Sequence, residues 1–166
     1  MQIVEIGPFL EYFERVRERT RKVIAAVPPE RVDWTYKAGK FTCADIVRHL
    51  AAIERWMYAE NVQRKPSLYA GHGPEIAKGY LDLTTFFESL HAEAMEIFAR
   101  LTPADLSAKC LTPAGTPITT SKWLRAMVEH EVHHRGQLYV YLGMMGLEGP
   151  PIYGLTSEEV RARSAS

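Results

Sequence analysis

The stretch VEHEVHHRGQLYVYLGMMG, residues 128–146, decides the fold, because a helical apolar period and a metal-type histidine spacing run through the same residues. Inside it, HEVHH at 130–134 spells the H-E-x-x-H of zinc metallopeptidases. At about 100° per residue, His130 and His134 share one inward stripe with Trp123, Met127, Gln137 and Tyr141. Glu131 and Arg135 turn off that stripe, and His133 lies on its flank. Two histidines at i and i+4 project their rings one turn apart, so both can converge on one divalent ion at about 2.0–2.1 Å. Without an ion, a buried pair needs several hydrogen-bond partners for its ring nitrogens.

Working outward, this helix is expected from Thr119–Ser121 to about Met145, stopped by Gly146 and Gly149. Three more segments carry the same period. The first runs from about Pro8 to Val27, with Phe9, Tyr12, Phe13, Val16, Val23 and Ile24 on one stripe, until VPPERVDWTYKAGKF interrupts it. The second starts at TCAD, residues 42–45, which reads as a capping box of Thr42 and Asp45, and extends to about Arg64. The third is capped by Asp82 and carries Leu83, Phe86, Phe87, Leu90, Ala94, Ile97, Phe98 and Leu101.

Between the second and third, KPSLYAGHGPEIAKGY is too rich in Gly and Pro for a helix, and a loop of that length is a candidate wall for a site. LSAKCLTPAGTPITT suggests a short hairpin, and TSEE at 156–159 caps a short terminal helix. The expectation is an all-α protein, an antiparallel four-helix bundle with a short hairpin between helices three and four, forming a single domain over 1–166.

Composition narrows the function classes. The 166 residues are 46% hydrophobic and carry 20 Lys plus Arg against 20 Asp plus Glu, with no run of five like charges. That balance favours neither nucleic acid nor an anionic membrane as a partner. Charged residues interrupt the N-terminal segment, which therefore lacks the apolar stretch of a signal peptide, and no apolar run approaches a membrane span. With two cysteines, Cys43 and Cys110, a cytoplasmic setting with both thiols as buried fillers is expected, and neither receives a catalytic role.

On helix two, His49 sits on the inward stripe with Thr42, Ile46, Ile53, Trp56 and Glu60. Opposite a histidine pair it is the natural third ligand, and three protein ligands leave a fourth position for water or substrate. Asp45, one turn earlier, is either only the cap or also a partner that orients the His49 ring. Glu60 and Gln137 face inward near helix ends, within reach of a substrate. His72 in the long loop is expected to be exposed, and His91 to lie partly solvated on the flank of helix three. Val132 and Tyr139 lie opposite the site, facing another helix or subunit.

Two other metal readings compete. A peptidase would use Glu131 as general base and needs a third ligand downstream, where Glu148, Glu158 and Glu159 are poorly placed. A di-metal carboxylate site would use the Glu-x-x-His spacings at Glu88–His91 and Glu131–His134, but both glutamates diverge from the inward stripes.

FTCADIVRHLAAIERWM and HEVHHRGQLYVYLGMMGLEGPP, in that order, resemble the DinB/YfiT-like family of metal-dependent enzymes. The resemblance implies a divalent metal, zinc or nickel, bound by His49, His130 and His134. It also implies a transferase of the thiol S-transferase type or a hydrolase acting on a small-molecule substrate, with a low-molecular-weight thiol as co-substrate in the first case. A homodimer is implied as well. A non-catalytic metal-binding or stress-response scaffold is the alternative. No residue is assigned as general acid or base.

Overall fold

The structure is a computed structural model that describes residues 3–165; Met1, Gln2 and Ser166 lie outside the described residues. The chain is mostly helical with one small sheet. Helix α1, Ile6–Ala25, begins two residues before the expected start and buries Phe9, Phe13, Val16, Val23 and Ile24. Helix α2, Cys43–Ile53, opens on the capping box: Thr42 Oγ1 accepts the Asp45 amide at 3.0 Å and the Asp45 carboxylate accepts the Thr42 amide at 2.9 Å. It continues through a π turn, Glu54–Tyr58, into a last short piece, α3, Ala59–Val62.

Helix α4, Gly79–Phe98, starts ahead of Asp82, which is therefore not its cap. Asp82 instead lies in the first turn, where a carboxylate interacts favourably with the free amides. A five-residue helix that the hydrophobic period does not foretell, α5, Pro103–Ser107, follows from a second capping box, Thr102 with Asp105. The hairpin forms as expected. Strand β1, Lys109–Leu111, pairs antiparallel with β2, Pro117–Thr119, with Cys110 opposite Ile118. Helix α6, Thr120–Met144, carries the histidines, and α7, Ser157–Ser164, has the expected Thr156–Glu159 box.

Packing of α1 on α6, α2 on α4 and α2 on α6 creates two apolar clusters separated by a polar layer. One cluster includes Phe9, Phe13, Val16, Met57, Val62, Phe98, Leu124 and Val128. The other includes Val23, Ile46, Leu50, Leu83, Phe87, Leu138 and Leu142. On each helix, the residues between the two clusters include buried polar side chains: Arg17 and Thr20 on α1, Glu54 in the π turn, His91 on α4 and Glu131 on α6. No helix among the described residues is long and apolar enough to cross a membrane.

That layer corrects three expectations. Glu131 and Arg135 do not turn toward solvent; they are 2% and 3% exposed. Thr20 Oγ1 donates to Glu131 Oε1 at 2.7 Å, Arg17 Nη2 lies 3.1 Å from Glu131 Oε2, and Arg135 Nη1 donates to the Val16 carbonyl at 3.2 Å. His91 is 3% exposed rather than partly solvated, its ring held between Glu54 and Glu14 at 2.8 and 2.9 Å. His91, on α4, is buried because Glu54 and Glu14 meet both ring nitrogens; Glu131 and Arg135 share another reason. α6 packs on two neighbours, so its buried face is wider than one stripe, and α1 supplies Arg17 to compensate the buried carboxylates.

Arg17 also pairs with Glu54. Its Nε and Nη1 have no hydrogen-bond partner among the described residues, but the guanidinium lies 4.3 Å from the Phe87 ring centroid and 5.5 Å from that of Phe13. The negative faces of the two rings supply part of what those N–H groups lack.

Candidate metal centre

α2 and α6 lie side by side and turn His49, His130 and His134 toward one point. One ring nitrogen from each lies within 4.8 Å of the others, a group able to hold a metal ion. His130 Nε2 is the hub, 3.1 Å from His49 Nε2 and 3.1 Å from His134 Nε2.

The opposite ring nitrogens say which of these carry lone pairs. Gln137 Oε1 lies 2.6 Å from His134 Nδ1, and a carbonyl oxygen only accepts, so Nδ1 is the protonated nitrogen and Nε2 presents a lone pair. Tyr69 Oη lies 2.8 Å from both His49 Nδ1 and His72 Nδ1. The single phenolic proton satisfies this chain in either direction; when His49 Nδ1–H donates to Tyr69 and Tyr69 donates to His72, His49 Nε2 is left with the lone pair that a cation requires. In that direction three imidazole nitrogens converge with at most one proton among them, a donor set suited to a cation.

Electrostatics favour the ligating form. Burial, then the neighbouring histidines, pushes His49 down to about 3. Burial and then His134 and His133 push His130 down to about 4, and burial also lowers His134 against the pull of Gln137. All three rings are neutral near pH 7. His133 is exposed and only packs its ring on His134, at 4.9 Å between centroids.

The structure sorts the weaker candidates. Gln137 does reach the site, but as the partner of His134. Asp45 bonds Arg48 at 2.6 Å instead of orienting His49. Glu60 is buried against Arg55 and takes no part in the histidine cluster. His72 is half-buried, not exposed, and its ring lies 4.2 Å from Phe41 between centroids. Arg48 explains this: buried on α2, it donates to the carbonyls of His72 and Ala77 at 2.7 and 2.9 Å, tying the long loop down beside His49.

Tyr58, Tyr69, Arg48 and Trp123's indole nitrogen escaped the sequence reading. The π turn shifts the helical register after Ile53, so Trp56 is only half-buried while Tyr58 is buried with its ring 6.2 Å from that of His130. Trp123 packs with its ring tilted on that of Tyr58, 4.6 Å between centroids, and its Nε1 is buried with no acceptor among the described residues. Both cysteines are buried, unpaired thiols; burial drives Cys43 up to about 11, far from a reactive thiolate.

A mostly helical chain with an inward trio of histidines from two helices is a recognisable class of protein. The sequence pattern of the DinB superfamily matches residues 12–138, and the chain belongs to that superfamily. It is 34% identical over 74 residues to uncharacterized protein YjoA of Bacillus subtilis (strain 168), a match covering 43% of this chain and 48%, about half, of that relative. Among solved structures, a DinB-like protein of Bacillus cereus ATCC 10987 superposes with a TM-score of 0.75 at 20% identity, covering 87% of this chain and 95% of its own. The DinB-like protein YjoA of Bacillus subtilis gives 0.69 at 19% identity, covering 89% and 97%. At those identities the two structures speak for the fold alone.

Proposed function

We propose that the protein is a divalent-metal-dependent enzyme acting on a small molecule, either a transferase of the thiol S-transferase type or a hydrolase. In this reading it is a single-domain antiparallel four-helix bundle over 1–166, a cytoplasmic homodimer with zinc or nickel at His49, His130 and His134. The observation that carries the reading is the convergence of the three imidazole Nε2 atoms, those of His49 and His134 each 3.1 Å from that of His130. The group contains three ligand atoms among the described residues, so a four-coordinate ion keeps one position for water or substrate.

A bound divalent ion would supply Lewis acidity that activates a water or a low-molecular-weight thiol near neutral pH. The chain's own residues do the rest. Gln137 and Tyr69 fix the ring orientations, and the Phe41 ring packs on His49 and His72 and limits water.

Glu131 is not a general base here. It is engaged by Thr20 and Arg17 on α1. Zinc- or nickel-loaded protein is expected to turn over an alkyl or aryl halide with a small thiol, or a simple ester or amide, faster than the free ion does. His134→Ala should lose that activity. No turnover across these substrates, with the fourth coordination position filled by a protein atom, would replace the enzyme reading with a metal-binding scaffold.

A further inference from the structure

A cavity of about 660 Å³ lies between the end of α3, the segment after it and the β1–β2 hairpin. None of the three clustered histidines lines it. Its charged lining residues are Arg64, Lys65 and Lys109, with no carboxylate among the rest. In a chain with 20 basic and 20 acidic residues this is a local excess of one sign. Pro66, Leu111 and Pro113 give it apolar sides.

Two features mark it as more than a basic surface. Asn61, 2% exposed, forms part of the lining; its Nδ2 donates to the Lys65 carbonyl at 3.1 Å, while its Oδ1 is buried with no partner among the described residues. A buried acceptor left open next to a cavity calls for a donor from outside the chain. Arg64 has φ +64°, and every other positive φ among the described residues belongs to glycine. The Arg64 amide bonds the Asn61 carbonyl at 2.9 Å and the Lys65 amide the Glu60 carbonyl at 3.1 Å, a helix end at which glycine is the favoured residue. An arginine held in that conformation keeps a guanidinium at the cavity that glycine would not provide. Among the described residues its guanidinium is engaged through Nη1 alone, 3.3 Å from Asp105 on a partly exposed pair.

We propose that this cavity binds a small organic anion, a carboxylate or phosphate ester that also bears a hydrogen-bond donor. The anionic group sits among Arg64, Lys65 and Lys109, and the donor reaches Asn61 Oδ1. Charge-assisted hydrogen bonds from Arg and Lys supply the attraction, and the arginine fork favours a planar or tetrahedral oxyanion. This is independent of metal chemistry at the histidines.

Titration of isotope-labelled full-length protein with O-phosphoserine, inorganic phosphate and serine, followed by amide chemical shifts, tests the site. At about 0.01 M ionic strength, where screening is weak, O-phosphoserine should shift the amides of 61–67 and 109–115 saturably and bind more tightly than phosphate, and serine should not bind. Lys109→Ala and Arg64→Gly should each weaken it about tenfold or more, with the Arg64→Gly thermal midpoint equal to or above the wild type, so that unfolding does not explain the loss. Binding should survive His134→Ala. Absent or non-saturating shifts, equal affinity in both cavity variants, or loss with His134→Ala would overturn the proposal, and equal affinity for O-phosphoserine and phosphate would remove the Asn61 donor contact from it.

Discussion

Gln137 determines which nitrogen of His134 faces the cluster, because its carbonyl holds the proton at Nδ1. Gln137→Ala is therefore expected to weaken metal binding about 10–100-fold while leaving the metal-free protein's thermal midpoint unchanged; competition with a chromophoric chelator measures it, and unaltered affinity would contradict the tautomer assignment. Glu131 sits between the two histidines in sequence but spends its carboxylate on Thr20 and Arg17. Removing it leaves Arg17 a buried cation with one partner fewer. Glu131→Ala should cost about 3–5 kcal/mol of stability, read by urea unfolding, with metal content retained in the folded protein. A metallopeptidase would give the reverse pattern, an intact fold and lost activity.

Among the elements, the π turn at Glu54–Tyr58 decides the most. It directs Glu54 into the layer shared by α1, α4 and α6, where it meets Arg17 and His91. Burial works against charge on His91, but the hydrogen bond and charge of Glu54, with Glu14 added, outweigh it and raise the histidine above its ordinary value. The sign follows from linkage. The protonated ring is more favoured in the fold than in the unfolded chain, so its stabilisation is complete below about 6.5, the unfolded value, and is lost as pH rises through the higher folded value. Unfolding free energies measured from about pH 6 to about pH 9 should fall more steeply for the wild type than for His91→Gln. A difference between the two that is flat with pH would show that His91 does not titrate with folding.

Across the molecule, what could be read from the sequence followed from local rules. The Thr42 and Thr156 capping boxes, the hairpin and the inward stripes that carry His49 on one helix and His130 with His134 on another each depend on residues a few positions apart. What could not be read depends on distant partners. Rotation from His130 takes Glu131 and Arg135 off the single inward stripe, and only Arg17, Thr20 and the Val16 carbonyl, from the other end of the chain, make their burial tolerable. Likewise, nothing local in GHG reveals that Arg48 pins the His72 carbonyl and brings that loop, with its Tyr69, to His49. A bound ion would join α2 to α6, so chelation should lower the thermal midpoint, by the equivalent of about 2.7 kcal/mol if free metal had stood at 100 times its dissociation constant.

The ligand set is tested most directly by elemental analysis of the purified full-length protein beside His49→Ala, His130→Ala, His134→Ala and His133→Ala. The wild type and His133→Ala should carry about one zinc or nickel ion per chain, the stoichiometry of a single three-histidine site, and the other three variants should carry none. Full metal content in any of those three, or its loss in His133→Ala alone, would contradict the site described.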